Sequence, residues 1–240
     1  MEKLSIKAKH QEIELVTNGF KSPKKIVIGL HGFNGNLFGD VFSHLKDAFS
    51  DSLVCAYNSA GHGESKIKSM DMRLEAIAEE LPLVTDYLSR QYPDIPIIVF
   101  ATSYGAYRTM VSLSKYPLKN VKHLVFLNPA FKMLEVLEKI KEFDYHSLKE
   151  DAIIPMKTSL NKYMSKKFVD GIFENNVYKL SYHKIPMTIF IGLKDTLIPR
   201  KDTLDFAKLY GSSIEYIDDD HCIENEENWQ KIVKYIDGLK

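Results

Sequence analysis

The chain has few cysteines, no excess of charge of either sign and no long hydrophobic run. Its 240 residues include two cysteines, Cys55 and Cys222, which lie far apart without CxxC spacing. This argues against a disulfide framework or a zinc site and suits a reducing compartment. Lys plus Arg equals Asp plus Glu at 32 each, so no net charge attracts nucleic acid or an anionic membrane.

Targeting segments and cofactor motifs are also missing from the sequence. The N-terminal stretch MEKLSIKAKHQEIELVTNGF lacks the apolar run of a signal peptide. No segment reaches the roughly 18 apolar residues of a membrane span. These observations predict a cytoplasmic protein with no membrane span. Because GxGxxG, P-loop, HExxH and Cys–His patterns do not occur, we expect neither an organic cofactor nor a metal.

Near-continuous apolar runs bounded by turn residues predict buried strands of a parallel sheet, because strands covered on both faces do not alternate. The runs are Lys24 to Leu30, Ser52 to Tyr57, Ile95 to Ala101, Val121 to Leu127 and Ile185 to Gly192. A shorter strand is predicted at Ser213 to Ile217. Alternating residues at Ser5 to Lys9 and Glu12 to Val16 predict an antiparallel hairpin before the parallel sheet.

Helical segments alternate with these strands. They are predicted at Val41 to Phe49, Met70 to Tyr92, Tyr104 to Lys115, Thr203 to Tyr210 and Glu224 to Gly238. The alternation predicts an α/β fold with a doubly wound, mostly parallel sheet. Ligands of such sheets bind at the carboxyl ends of the strands, which is where functional residues are expected.

One connection is too long for a simple crossover between strands. Residues 129–184 separate two predicted strands, and such crossovers need far fewer residues. The first part of this segment carries apolar residues at helical spacing, namely Phe131, Leu134, Leu137 or Val136, Ile140 and Phe143. We therefore expect a core formed by residues 1–128 and 185–240, with residues 129–184 as an inserted lid.

The stretch VFATSYGAYRT places Ser103 between a predicted buried strand and a predicted helix. Gly105 and Ala106 are small enough for the strand and the helix to meet at a sharp angle. This is the sequence form of a nucleophile elbow, GxSxG, with Ala101 at the first glycine position. The alternative is a serine N-cap of an ordinary helix, which this pentapeptide taken alone favours.

A serine hydroxyl becomes a nucleophile only when a base takes its proton and a third group orients that base. In the chain order Ser, Asp, His, Asp195 follows one late predicted strand and His221 follows the last one. Both lie at carboxyl ends of strands and can converge on Ser103. We therefore predict Ser103, Asp195 and His221 as a catalytic triad.

Three further acids compete with Asp195. Asp218, Asp219 and Asp220 directly precede His221 and would have to fold back to reach Nδ1 of its ring, so Asp195 is preferred.

An oxyanion hole is expected from two backbone amides. The glycines of GLHGFNGN allow the amide of Phe33 to point at the site, and the amide of Tyr104 directly follows the serine. The other interpretation of His31 and Gly32 is a tight turn from strand to helix, and both interpretations can hold together.

The sequence resembles the α/β-hydrolase superfamily of serine hydrolases. The resemblance rests on motifs in family order along nearly the whole chain: HGF at His31 to Phe33, GHGES at Gly61 to Ser65, ATSYGA at Ala101 to Ala106, GLKDTLIP at Gly192 to Pro199 and DHC at Asp220 to Cys222. The GHGES loop is interpreted as a Gly-rich turn. Length, this loop and a single mid-chain lid look most like bacterial carboxylesterases, a group that includes cinnamoyl and feruloyl esterases and monoacylglycerol-lipase-like enzymes.

These features predict a serine hydrolase that cleaves small-molecule esters of small acyl or aromatic acids through an acyl-enzyme. Substrate contacts are predicted for His31, Gly32, Leu134, Tyr145, Met164 and Tyr178, although a lid stripe is more often packing. One alternative is an aminopeptidase or amidase-type acyl hydrolase, and another is a hydrolase-fold protein that only binds a small molecule. Homodimer formation is left open.

Overall fold

A computed structural model describes residues 1–7, 11–156 and 162–239. The strands in these ranges are β1 (Glu2–Lys7), β2 (Glu12–Thr17), β3 (Lys25–Leu30), β4 (Ser52–Tyr57), β5 (Ile97–Thr102), β6 (Val121–Leu127), β7 (Ile153–Pro155), β8 (Tyr163–Ser165), β9 (Met187–Gly192) and β10 (Ser213–Ile217). The α-helices are α1 (Asp40–Leu45), α2 (Leu74–Gln91), α3 (Tyr104–Lys115), α4 (Met133–Lys141), α5 (Lys166–Glu174), α6 (Arg200–Tyr210) and α7 (Glu226–Gly238). Within these ranges, no helix combines the length and apolar character needed to cross a membrane.

Eight strands form one sheet in the order β1-β2-β4-β3-β5-β6-β9-β10. The β1/β2 and β2/β4 pairs are antiparallel, and the remaining neighbours are parallel. Every residue of β3, β4 and β9 is buried, which explains their continuous apolar runs. The predicted doubly wound, mostly parallel sheet is confirmed.

Helices cover both faces of the sheet, and alternate residues of a strand face the two layers. Ile28 of β3 packs in a core with Val84 of α2 and Met110 of α3. Its neighbour Val27 packs in a second core with residues of α1 and α7, among them Trp229. The order of the parallel strands reverses between β3 and β5, and ligand sites of such sheets lie at this kind of switch point.

Several predicted boundaries shift, and proline accounts for two of the shifts. β5 and β9 begin two residues later than predicted because Pro96 and Pro186 precede them. A proline has no N–H for the ladder, although the carbonyls of both prolines still accept hydrogen bonds from the neighbouring strands. The first strand was predicted to end at Lys9, which lies outside the described residues. The described residues of β1 and β2 form the predicted antiparallel pair.

The predicted helix Met70 to Tyr92 is wrong at its start. Residues Ser69–Asp71 form a short 3-10 turn, and Met72 and Arg73 are extended before α2 begins at Leu74. Predicted helix starts and ends also differ for α1, α6 and α7. In α7 the reason is a cap: the side chain of Asn225 accepts a hydrogen bond from the Glu227 amide at 2.9 Å, which starts the helix there.

The long connection between β6 and β9 contains α4, α5 and a two-stranded antiparallel ribbon of β7 and β8. The predicted helical stripe is only partly the buried face. α4 buries Val136 and Leu137 together with Met133, which was not in the predicted stripe, whereas Leu134 and Ile140 are half-buried. The buried face is therefore rotated from the predicted one. We call residues 129–184 the insertion.

Candidate active site

Ser103 occupies a sharp turn between β5 and α3. Its backbone has φ 50° and ψ −117°, a left-handed φ that side-chain-bearing residues adopt only under strain. The end of β6 and the segment after it hold this conformation: the Ser103 amide donates to the Leu127 carbonyl at 3.0 Å, and the Ser103 carbonyl accepts from the Ala130 amide at 3.1 Å. Although Ser103 stands at the N-cap position, its side chain makes no capping hydrogen bond.

Close approach of the turn to β3 explains the small residues around Ser103. A Cβ atom on Gly105 would lie 2.8 Å from the carbonyl oxygens of Leu30 and His31, so only glycine fits there. Ala101, at the position of the first motif glycine, is fully buried. The alanine side chain is therefore accommodated at the end of β5.

The structure brings together the three residues predicted as a triad. The Nε2 atom of His221 lies 3.0 Å from Ser103 Oγ, and Nδ1 lies 2.8 Å from Asp195 Oδ2. The second carboxylate oxygen of Asp195 accepts from the amides of Leu197 and Ile198 at 2.8 and 2.9 Å. Because a carboxylate accepts at Nδ1, that nitrogen carries the proton and Nε2 is free to accept from the serine hydroxyl.

The competing acids are turned away from the imidazole of His221. Asp219 accepts hydrogen bonds from Asn228 Nδ2 at 3.0 Å and from backbone amides including that of Asn225. Burial acts to raise the pKa of Asp219, but these hydrogen bonds outweigh it and the pKa is lowered. Asp220 accepts from the His221 amide, and Asp218 pairs with a lysine. These acids shape the loop that carries His221.

Asn128 joins the two loops that carry Asp195 and His221. Its Oδ1 accepts from the Gly192 amide at 2.7 Å, and its Nδ2 donates to the carbonyls of Asp220 and His221 at 3.0 and 3.1 Å. Asn128 was not among the predicted site residues. The available signal was its position directly after the apolar run of β6.

The two residues whose amides were predicted as oxyanion donors lie near Ser103: Phe33 lines the same cleft, and Tyr104 is the next residue along the chain. Tyr104 begins α3, where unpaired amides and the helix dipole favour negative charge. Within the described ranges, neither amide donates a hydrogen bond to a protein acceptor. A Cβ atom on Gly32 would lie 3.3 Å from Cβ of Ser103, so the Phe33 loop closely approaches the serine.

A cleft of about 220 Å³ opens beside Ser103. His31 and Gly32, both predicted to contact substrate, lie in its wall, and Phe33 and Asp40 line it too. Apolar groups supply much of the remaining lining, namely Val41, Leu127, Ile223 and Trp229. The cleft therefore lies between the loop after β3 and the loop that carries His221.

The predicted lid tyrosines form hydrogen bonds elsewhere. The hydroxyl of Tyr145 donates to Asp170 Oδ1 at 2.8 Å, and that of Tyr178 donates to the Asp202 carbonyl at 2.7 Å. Neither ring is among the described residues that line the cleft. Their predicted substrate contact finds no support in this geometry.

The other two lid predictions also fall outside this cleft. Met164 is fully buried on β8. Leu134 lines a separate cavity of about 390 Å³ that includes residues of α4 and α5. Both side chains are placed as packing groups of the insertion.

The GHGES loop has the structural role that was predicted for it. His62 is buried, and its ring stacks on Tyr104 with the centroids 5.6 Å apart. Burial lowers the pKa of His62 to about 4. Gly61 and Gly63 have φ values of 76° and 49°, which glycine adopts without strain. In the part of the chain that the structure describes, no group of three or more His, Cys, Asp or Glu residues is arranged to hold a metal ion.

Residues 21–170 match the family described as serine aminopeptidase, S33. This range includes Ser103 and ends before Asp195 and His221. Among curated proteins, none matches the chain.

Solved structures share the fold. Est1E from Butyrivibrio proteoclasticus, with ferulic acid bound, is 20% identical with a TM-score of 0.80, covering 97% of each chain. The esterase Pf2001 from Pyrococcus furiosus is 20% identical with a TM-score of 0.68, covering 98% of this chain and 89% of that one. Mouse alpha/beta hydrolase domain-containing protein 10 is 15% identical with a TM-score of 0.73, covering 99% and 97%. The chain therefore belongs to the serine aminopeptidase S33 family and is a hydrolase of the α/β-hydrolase fold.

Proposed function

We propose that this hydrolase cleaves carboxylic esters of small acyl or aromatic acids through an acyl-enzyme formed on Ser103. The observation that carries the proposal is the hydrogen-bonded series from Asp195 through His221 to Ser103 Oγ, with distances of 2.8 and 3.0 Å. Asp195 is the orienting acid in this proposal, because its carboxylate is the one that meets the imidazole.

The proposed reaction has two halves. Ser103 Oγ attacks the ester carbonyl carbon while His221 Nε2 takes the hydroxyl proton, and the protonated ring then gives that proton to the departing alcohol. Water next attacks the acyl-enzyme, loses a proton to His221, and releases the acid and the free serine. The amides of Phe33 and Tyr104 stabilise the oxyanion of both tetrahedral intermediates, each contributing about 2.7–4 kcal/mol.

The cleft supports the choice of small substrates. Its volume of about 220 Å³ lies below the roughly 300–1,000 Å³ of pockets for drug-sized ligands. Leu127, Ile223 and Trp229 give it an apolar wall suited to an acyl or aromatic group. The fold similarity to Est1E with ferulic acid bound points in the same direction.

An aminopeptidase or amidase activity is the second candidate. Two observations favour it: the family description, serine aminopeptidase, and the carboxylate-bearing residue Asp40 in the wall of the cleft. A carboxylate at that position can pair with the amino group of an aminoacyl substrate. The same Ser103, His221 and Asp195 would then cleave an amide or anilide.

We infer that the insertion acts as a lid over residues 31–35, which we call the oxyanion loop, and over the neighbouring GHGES loop. Three contacts support this inference. Asn34 Nδ2 donates to the Met156 carbonyl at 2.7 Å, and the Phe168 ring stacks on Phe33 at 6.5 Å between centroids. Lys162 Nζ donates to the Gly63 carbonyl at 3.0 Å.

The decisive test is labelling with a fluorophosphonate combined with a substrate panel. We expect covalent labelling at Ser103, and a loss of turnover of roughly 10⁴-fold or more in Ser103→Ala. Ser114→Ala, on the same helix, is the matched control and retains activity. Activity of Ser103→Ala near that of wild type would refute the proposal.

The panel pairs p-nitrophenyl and hydroxycinnamoyl esters with aminoacyl anilides, compared as ratios of kcat/KM. Higher values for the esters support the first candidate. Higher values for the anilides, together with their loss in Asp40→Asn, would establish the second. Labelling without turnover of any panel member would contradict both.

A further inference from the structure

A buried ion pair lies behind the loops of the candidate site. Glu80 of α2 and Arg108 of α3 are each about 2% exposed, and Arg108 Nη1 lies 3.0 Å from Glu80 Oε2. The same oxygen accepts from Ser59 Oγ at 2.7 Å, while Oε1 accepts from the Ala60 amide at 2.6 Å. Burial raises the pKa of Glu80, and these three donors oppose that rise. The carboxylate thus fixes the loop that follows β4.

That loop determines which nitrogen of His31 carries the proton. The Ser59 amide donates to His31 Nε2 at 3.2 Å. An amide N–H can only donate, so Nε2 is unprotonated and the neutral ring carries its proton on Nδ1. Burial, with Arg108 and His62 nearby, keeps the pKa of His31 well below its usual range, which maintains the neutral form.

The protonated nitrogen of His31 holds a peptide plane of the oxyanion loop. His31 Nδ1 lies 2.8 Å from the Gly32 carbonyl oxygen, which also accepts from the Gly35 amide at 3.1 Å. The Gly32 carbonyl and the Phe33 N–H belong to one planar trans peptide and point in opposite directions. Fixing the carbonyl therefore fixes the direction of the Phe33 N–H.

We propose that His31 and Glu80 are positioning residues that aim the Phe33 amide at the oxyanion through the Ser59 amide and the Gly32 carbonyl. The inference rests on the proposed function of Ser103. His31 does not hydrogen-bond substrate in this proposal, because its ring is buried and both ring nitrogens are already engaged.

The first test measures kcat per active site, with active sites counted by fluorophosphonate titration so that unfolded protein does not contribute. His31→Leu removes the donor to Gly32, and we expect kcat to fall roughly 10²-fold with KM changed less than about threefold, as for loss of one oxyanion donor. His31→Asn keeps an N–H at the same number of bonds from the backbone. We expect it to recover kcat to within roughly tenfold of wild type.

A second pair of variants tests the ion pair. Glu80→Gln replaces one carboxylate oxygen with an amide group that cannot accept from Arg108 or from the Ala60 amide. We expect kcat per site to fall roughly tenfold. Glu79→Gln makes the same chemical change one residue away on α2 and keeps wild-type kcat. Equal kcat in wild type and His31→Leu, or equal losses in His31→Leu and His31→Asn, would overturn the proposal.

The tautomer is measured on the wild-type protein, and a variant serves only to assign the signals. Two-bond ¹⁵N–¹H correlations of wild-type protein, with His31 assigned by loss of its signals in His31→Asn, should show Nδ1 protonated and Nε2 unprotonated at pH 7. A proton on Nε2 would refute the positioning mechanism whatever the kinetics show. If Ser103→Ala kept full activity, the proposed function would fail while the tautomer result stood, so the two failures are distinguishable.

Discussion

Polar groups have different roles at the carboxyl edge of the sheet, meaning the edge where the parallel strands end, and in the insertion. At the edge, Asn128 joins the loops that carry Asp195 and His221, and Ser103 directly follows β5 in a strained conformation with φ 50° and ψ −117°. Such strain persists only where surrounding contacts enforce it, and it concentrates at functional sites. In the insertion, the hydroxyl of Tyr145 is turned to Asp170 on the neighbouring helix. The edge is thus organised around Ser103, while the insertion is organised around its own packing.

The largest expected loss of kcat comes from a substitution at the edge, Asp195→Asn. In Asp195→Asn, the amides of Leu197 and Ile198 will hold the remaining oxygen, so Nδ2 will donate to His221 Nδ1. The ring must then carry its proton on Nε2 and cannot accept the Ser103 proton. We expect kcat to fall roughly 10⁴-fold.

Asp219→Asn is the matched control for that substitution. It makes the same chemical change in the loop of His221, where the carboxylate accepts only from Asn228 and backbone amides. We expect a loss of stability and a much smaller loss of kcat, measured by thermal unfolding and by steady-state kinetics. A ranking in which Asp219→Asn loses more kcat would reassign the orienting acid.

The meeting of Ser103, Asp195 and His221 was predictable because each follows a strand of one parallel sheet. Parallel strands present their carboxyl ends at one edge, so the order of the motifs was enough to bring the residues together. Asn128 also follows such a strand, but its partners are backbone groups of distant loops, which no local pattern reveals. Its role could be identified only once the loops were placed.

The insertion was predicted as a segment, but its details were not. Periodicity indicated a helix near α4, yet the buried face is set by Met133, Val136 and Leu137 rather than by Leu134 and Ile140. Both faces include Leu137 and have helical spacing, and only packing against the rest of the fold distinguishes them. For the same reason α5 and the β7/β8 ribbon had no clear signal.

An intermediate effect is expected where the two regions meet. The ring of His62 lies near Phe33 and Tyr104 of the edge, and the carbonyl of Gly63 beside it accepts from Lys162 of the insertion. Its pKa is lowered to about 4 in the folded state by burial, against about 6.5 when unfolded. The unfolded chain therefore binds more protons between these values, so this contribution to stability is complete above about pH 6.5 and is lost as pH falls toward 4.

Between about pH 6.5 and pH 4, the neutral His62 ring loses about 3 kcal/mol of its contribution to the unfolding free energy. Urea unfolding from pH 4 to 7 should show a shallower rise of unfolding free energy with pH in His62→Asn than in wild type. His146→Asn, at an exposed site on the insertion, should keep the wild-type slope. Identical slopes for His62→Asn and wild type would show that the ring is accessible to protons in the folded protein.

The smallest effect is expected in the insertion itself. Tyr145→Phe and Tyr178→Phe remove hydroxyls that hydrogen-bond Asp170 and the Asp202 carbonyl, so each should lower the unfolding free energy by about 0.5–1.5 kcal/mol. Because neither ring is among the described residues of the cleft, kcat/KM for the best ester should change less than threefold, roughly 0.7 kcal/mol at most. A much larger loss of kcat/KM, with stability unchanged, would show that these tyrosines reach the substrate after the insertion rearranges. The contrast between an edge that carries the proposed triad and an insertion organised by its own packing would then fail.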